Sequence, residues 1–276
     1  MDTIIELFSY DFFLHAFWAS FFAAISCGII GTYIVSRRIV FVSGGITHSS
    51  FGGIGIGYFL GWNPLLGAAI FAILSGWGIQ LFTKKAKVRE DSSIAIWWSL
   101  GMAIGIIFIY LSPGYAPNLM SYLFGSVLTV SVSELWFMGV LSVVLVLFFT
   151  LFYRLILYVA FDEEFAKTTG LPVTLINFLL ISLIAITIVL NIRVVGIILI
   201  LSLMTLPQAT ANLFTKDFKR MMPISILFAF IGSFVGLLFS FYVDIPSGAS
   251  IIFTLVVQFG LVKLGLFLHQ NLSVRG

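Results

Sequence analysis

The chain has 276 residues, of which 61% are hydrophobic and only 9% are charged, with a formal net charge of +3. Soluble domains carry about a quarter charged residues, so this composition excludes a water-soluble enzyme, a disordered protein and a nucleic-acid-binding protein. It predicts an all-α polytopic membrane protein. Because eight or nine spans of about 20 residues would use most of the chain, residues 1–276 are expected to form a single transmembrane domain.

The uncharged stretches mark the spans, since a charge inside lipid is costly and therefore uncommon. Turn residues at 61–64 divide the longest stretch into two helices, and residues 112–118 read as a loop. Nine helices are predicted, near 12–36, 42–60, 65–82, 93–111, 133–157, 172–190, 194–213, 223–243 and 248–268. A short or re-entrant segment would reduce the number to eight.

The orientation follows from the basic residues, which collect in short cytoplasmic loops. With nine spans, the basic clusters at 37–38, 84–89, 154–167 and 216–220 all fall on one side, together with Arg275. This distribution predicts an outside N-terminus and an inside C-terminus. The acidic N-terminus lacks the basic region of a cleavable signal peptide, so the first span is expected to be retained.

His48 lies inside the second predicted span, close behind Ser43 and Thr47. An imidazole at membrane depth is either a ligand or proton carrier in a polar path, or a hydrogen-bonded packing residue. Both interpretations stay open on the residues alone. In the functional case, the hydroxyls of Ser43, Thr47 and Ser50 would line the same path.

Glycines follow His48 at four-residue spacing, at Gly53, Gly57 and Gly61. Small residues at this spacing let another helix backbone approach closely. The pattern therefore favours a helix crossing that holds no ligand.

Residues 161–172 between two spans have a different character. They predict a short amphipathic helix with acidic residues in its first turn, as the helix dipole favours, which ends at Gly170 before Pro172. Such a helix could be a solvated connector or a docking element for a cytoplasmic partner. The residues alone favour the connector.

Several motifs, read in order, resemble one family: the permease subunits of ATP-binding-cassette importers for zinc, manganese or iron, the ABC-3 metal permeases. The resemblance covers about residues 12 to 262. The matching segments are 31–38, His48, 90–94, 122–126, 166–173, 195–199 leading to 206–211, and 244–249.

The resemblance implies a type II importer-like permease fold in the bacterial inner membrane. It implies a homodimer with the translocation path between two copies, an ATPase subunit that binds ATP on the cytoplasmic side, and an extracytoplasmic metal-binding protein. The chain itself would be no enzyme and would hold no permanent cofactor, with a divalent metal ion as its cargo. The resemblance also makes 162–170 the coupling helix that contacts the ATPase, with Glu163, Glu164, Lys167 and Gly170 as contact residues.

One position departs from the family pattern, which usually reads Gly-Asp-x-x-x-His before and at the histidine. The aspartate position aligns with Gly44, one helical turn from His48, where two side chains share a face. A single neutral imidazole binds a divalent ion more weakly and with less preference for hard ions such as manganese. Zinc or ferrous iron is therefore slightly favoured, and a path without a strong site, or a different cargo, stays open.

Two other classes of function fit the sequence less well. A secondary transporter or channel without an ATPase would need paired carboxylates or a charged relay in mid-span, and the uncharged stretches hold none. An intramembrane enzyme would need a nucleophile and base, or several metal ligands on facing helices. The three histidines are too far apart in sequence to propose such a cluster.

Overall fold

The structure is a computed structural model that describes residues 4–112, 120–125, 127–197 and 200–273. These ranges are helical apart from short connections, and a 3-10 turn lies at Val127–Thr129. Most of the predicted loop at 112–118 lies outside the described residues. The helices are α1 Ile4–Leu7, α2 Asp11–Ser36, α3 Val40–Phe59, α4 Pro64–Lys84, α5 Glu90–Leu111, α6 Met120–Phe124, α7 Val132–Leu151, α8 Tyr153–Phe161, α9 Glu163–Thr168, α10 Val173–Val195, α11 Ile200–Leu203, α12 Leu206–Ala211, α13 Phe218–Val243 and α14 Ser247–Ser273.

Seven of these helices are long and apolar enough to cross a membrane, namely α2, α4, α5, α7, α10, α13 and α14. The helix α3 has 20 residues, but its glycines, serines and histidine make it less apolar. The all-α membrane class is confirmed, while the predicted count of eight to nine spanning helices is slightly too high by this measure.

The prediction of one continuous helix at 194–213 is wrong. The preceding helix α10 continues to Val195 and ends at Gly196, which has φ 89° and ψ 160°. The backbone N–H of Ile197 donates to the carbonyl oxygen of Tyr122 at 2.9 Å. Because this contact holds the chain in a conformation that is essentially restricted to glycine, the helix stops and only the short α11 and α12 follow.

The broken segment nevertheless runs the depth of the bundle. Gly196 lies against Gly125 at one end, and the Gln208 side chain donates to the Cys27 carbonyl in the middle of α2 at 2.8 Å. At the other end, the Phe218 ring lies 6.2 Å from the ring of Tyr153. The chain therefore passes from one end of the bundle to the other between α10 and α13.

The predicted helix near 133–157 is divided in two. The first part, α7, begins with a capping box in which Ser131 and Glu134 satisfy each other's backbone amides. It ends at Leu151, and α8 follows as a separate helix with Ile156 and Val159 buried on one face.

Glycines set the close packing of α3 against its neighbours. A Cβ on Gly53 would overlap the carbonyl oxygen of Gly67 in α4, and one on Gly57 would lie 2.9 Å from the Cα of Pro64. On the other side, a Cβ on Gly55 would lie 2.7 Å from the Cα of Gly105 in α5. These contacts hold α3 between α4 and α5.

Gly61 has a different role from the one predicted. It lies beyond the end of α3 with φ +69°, and nothing lies within 4 Å of a Cβ built on it. The N–H of Trp62 donates to the carbonyl of Gly57 at 2.8 Å, which is the bond of a glycine-terminated helix end. Gly61 therefore ends α3 and takes no part in the helix crossing.

Candidate functional site

His48 lies midway along α3, on the side that faces α5. Its ring stacks on Trp98 with 4.0 Å between ring centroids and 5° between ring planes. The histidine is half-buried, and Trp98 remains 38% exposed. The stacked pair therefore lies at the margin of the helix bundle. Stacking covers one face of the imidazole ring and leaves its two nitrogens, on the ring edge, uncovered by Trp98.

Ser43 and Thr47 do not converge with His48. Both are buried, and each hydroxyl donates to a carbonyl of its own helix at 2.7 Å, Ser43 to Val40 and Thr47 to Ser43. Since an α-helix turns about 100° per residue, Ser43 and Thr47 share one stripe and His48 lies on another. The three predicted path residues therefore do not converge on one site in this chain.

Gly44 lies one turn before His48, on the same stripe, and faces α11. A Cβ built there would meet only the methyl groups of Leu201, at 3.7 and 3.9 Å. These are ordinary van der Waals distances, so the position has room for the first atom of a side chain. The contact with α11 could not be foreseen, because that segment was predicted to belong to a continuous helix.

No group of three or more His, Cys, Asp or Glu side chains that could hold a metal ion occurs within the described residues. His48 by itself offers one nitrogen ligand.

The short helix α9 lies within the segment predicted to couple to a partner. Asp162 caps its start by accepting from the N–H of Phe165 at 2.8 Å, and Ala166 is buried beneath it. Glu164 and Lys167 are exposed and form an ion pair at 2.6 Å. Gly170 has φ +77° and makes the turn after the helix.

Glu163 points the opposite way from the prediction. Its side chain is 23% exposed and turns towards the bundle, where Lys84 donates to Oε1 and the Arg37 guanidinium lies 3.5 Å from Oε2. Burial acts to raise the pKa of Glu163, but the hydrogen bond from Lys84 and the charges of Lys84, Arg37 and Lys167 outweigh it and lower the pKa. The carboxylate is therefore charged at neutral pH and engaged within the chain.

A cavity of about 150 Å³, lined by both polar and apolar side chains, lies beside this cluster, between α2, α4 and α10. Arg37 donates to the side chains of Tyr33 at 3.0 Å and Asn177 at 2.9 Å. Two buried atoms of the lining, Asn177 Nδ2 and Gln80 Oε1, have no hydrogen-bond partner in the protein. The sequence does not predict this cavity, although Gln80 and Asn177 are uncharged polar residues within apolar spans.

The chain is similar to known proteins in both sequence and structure. A family model described as the ABC 3 transport family matches residues 9–264. A probable metal transport system membrane protein of Chlamydia pneumoniae is 39% identical over 244 residues, covering 86% of this chain and 83% of that protein. The manganese transport system membrane protein MntC of Halalkalibacterium halodurans is 33% identical over 256 residues, covering 93% and 88%. Among solved structures, PsaBC from Streptococcus pneumoniae in complex with Fab gives a TM-score of 0.84 at 27% identity, covering 94% of this chain and 95% of that one.

Proposed function

Because the chain belongs to the ABC 3 transport family, we propose that it is the permease subunit of an ATP-driven importer for a divalent transition-metal ion. The observation that carries this proposal is the likeness over almost the whole chain to membrane proteins named for metal and manganese transport. The bundle of long apolar helices with a histidine in mid-helix supports it.

The path lies at the margin of the protomer, where His48 stacks on Trp98. A second copy of the chain placed against this margin would bring a second His48, so that two imidazoles could hold one ion. Neutral imidazole suits the divalent transition metals. Since the hydroxyls of Ser43 and Thr47 donate to carbonyls of their own helix, they are not the principal ligands.

The chain hydrolyses no ATP itself and depends on two partners. ATP binds to an ATPase subunit on the cytoplasmic side, and this subunit docks on α9 through its exposed face, which carries Glu164 and Lys167. Closure of the ATPase moves α9, the helix bundle changes the side to which the path opens, and an extracytoplasmic metal-binding protein supplies the ion.

Two considerations favour different cargo ions. Relatives named for manganese transport favour manganese. A histidine with glycine in place of a carboxylate one turn away favours zinc or ferrous iron, because a hard carboxylate ligand is missing. The uptake experiment therefore compares all three ions.

The test is uptake into proteoliposomes that hold the chain with its candidate ATPase and binding protein, at limiting concentrations of zinc, manganese or ferrous iron. Loss of an outer-shell partner of a metal ligand typically costs about 10- to 100-fold, so His48→Ala, which removes the ligand itself, should reduce uptake at least tenfold. His269→Ala is the matched control, since His269 is exposed near the end of α14 and should transport as the wild type does.

Wild-type uptake by the His48→Ala variant would refute the role of His48 as a path ligand. A folded wild-type chain that binds no ATPase, or that transports metal without ATP, would refute the importer and favour a secondary transporter.

A further inference from the structure

We propose that Glu163 is the positioning residue that links the cytoplasmic helix α9 to α2 and α4. Movement of α9 is then transmitted through α2 and α4 to α3, the helix that carries His48. This inference rests on the proposed function. It assigns Glu163 a role inside the chain, in place of contact with the ATPase.

The carboxylate of Glu163 joins the ends of two spanning helices to α9. Its Oε1 accepts a hydrogen bond from Lys84, the last residue of α4. Its Oε2 lies 3.5 Å from the guanidinium of Arg37, the residue that follows α2. Arg37 in turn donates to Asn177 of α10 at 2.9 Å, so the network that begins at Glu163 of α9 reaches α2 and α4 directly and α10 through Arg37.

The backbones of these helices do not provide the same link. The backbone of α9 packs against α8 and α10 and hardly approaches α2 or α4, all of which the structure describes in full. Between the ends of α2 and α4 lies the cavity of about 150 Å³. Since neither direct packing nor the chain itself ties α9 to these two ends, the side chain of Glu163 makes the connection.

The connection is stronger than that of an ordinary surface ion pair. Isolated exposed pairs contribute little, whereas networks of several charges can matter. The side chains of Glu163 and Arg37 are 23% and 21% exposed, and Lys167 adds a further cation at 4.0 Å from Oε1. Partial burial reduces the screening by salt, so the network holds at physiological ionic strength.

A displacement at Arg37 and Lys84 reaches α3 by two routes. Only residues 37–39 separate α2 from α3, so the end of α2 and the start of α3 move together. On the other route, α4 is held against α3 at the Gly53–Gly67 crossing, which leaves no space for a Cβ. Both routes end on the helix that presents His48.

The test compares two carboxylates in the complete transporter in proteoliposomes. Glu163→Gln removes the charge from the network at nearly constant shape. Asp91→Asn is the matched control, because the Asp91 side chain is 65% exposed and its ion pair within the described residues is with Arg89. The readout is the number of ATP molecules hydrolysed for each metal ion transported, together with co-purification of the ATPase. Coupling between distant sites typically amounts to about 5- to 150-fold.

We expect Glu163→Gln to retain the ATPase but to raise the ratio of ATP to metal at least about fivefold, whereas Asp91→Asn leaves the ratio unchanged. A Glu163→Gln variant that loses uptake and ATP hydrolysis in the same proportion, with an unchanged ratio, would overturn the inference, because the residue would then serve folding alone. If the wild type binds no ATPase, the proposed function fails before Glu163 is tested.

A second measurement needs no ATPase. Spin labels at Thr168→Cys in α9 and Lys85→Cys beyond α4 report the distance between these segments, and the native Cys27 is buried and shielded from the label. Glu163→Gln should broaden the distance distribution, whereas Glu163→Asp, which keeps the negative charge beside Lys84 and Arg37, should give a narrower distribution than Glu163→Gln. An unchanged distribution in Glu163→Gln would contradict the link.

Discussion

Replacing Gly196 by alanine should destabilise the fold where α10 breaks. With φ 89° and ψ 160°, this residue occupies a region essentially restricted to glycine, and holding another residue there costs about 1–3 kcal/mol. A methyl group would also lie 2.5 Å from the backbone nitrogen of Gly125, and adding a carbon to a packed site costs about 1–3 kcal/mol. Together the two terms lower the free energy of unfolding by about 2–6 kcal/mol.

Alanine variants at three other glycines distinguish the free-energy cost of the backbone conformation from that of steric overlap. Gly61 has φ +69° and open space around it, so alanine there meets only the backbone term of about 1–2 kcal/mol. Gly53 is helical, so alanine there has only the free-energy cost of the overlap with Gly67. A gain of about 1 kcal/mol in helix propensity reduces this cost. Gly265 is helical with nothing near its Cβ, so alanine there should gain up to about 1 kcal/mol.

The assay is thermal unfolding of the purified chain and its four alanine variants in one detergent at one scan rate, because unfolding of such proteins is often irreversible. At about 2–4 °C per kcal/mol, Gly196→Ala should lower the midpoint by at least about 4 °C. Gly61→Ala and Gly53→Ala should lie between it and the wild type. A midpoint for Gly196→Ala equal to that of Gly265→Ala would refute the structural account of the break.

Two further predictions concern charge. Gly44→Asp adds a carboxylate one turn before His48, in space bounded by Leu201, and because carboxylate is a hard ligand the ratio of manganese to zinc uptake should rise. Gly44→Asn is the uncharged control, and an unchanged ratio in Gly44→Asp would remove position 44 from the path. The lowered pKa of Glu163 means that its ion pairs stabilise the fold above the ordinary value of 4.5, and that this contribution disappears as the pH falls through the lowered value. The difference in thermal midpoint between the wild type and Glu163→Gln should therefore shrink from neutral pH towards about pH 4, and a difference independent of pH would contradict the assigned contacts.

The sequence by itself placed most of the long helices. The predicted helices near 42–60 and 65–82 correspond to α3 at Val40–Phe59 and α4 at Pro64–Lys84, with the turn at 61–64 between them. This succeeded because the cost of burying charge in lipid and the conformational freedom of Gly61 act locally along the chain.

Part of the candidate site could also be predicted from local features of the sequence. His48 was singled out because an ionisable side chain at membrane depth is rare, and the short helix at 162–170 because its acidic first turn and terminal glycine are local signals. Its stacking partner Trp98 and the cavity beside Arg37 could not be identified, since both depend on which helices become neighbours.

Only the tertiary structure decided where the chain breaks and which way Glu163 points. Residues 194–213 are as apolar as a continuous span, and the helix ends at Gly196 because the backbone near Gly125 docks against it. Glu163 and Glu164 are equivalent by composition, but Lys84 and Arg37 lie within reach of only the first. Hydrophobicity and turn propensity belong to a segment, whereas these two features arise from contacts between segments far apart in the sequence.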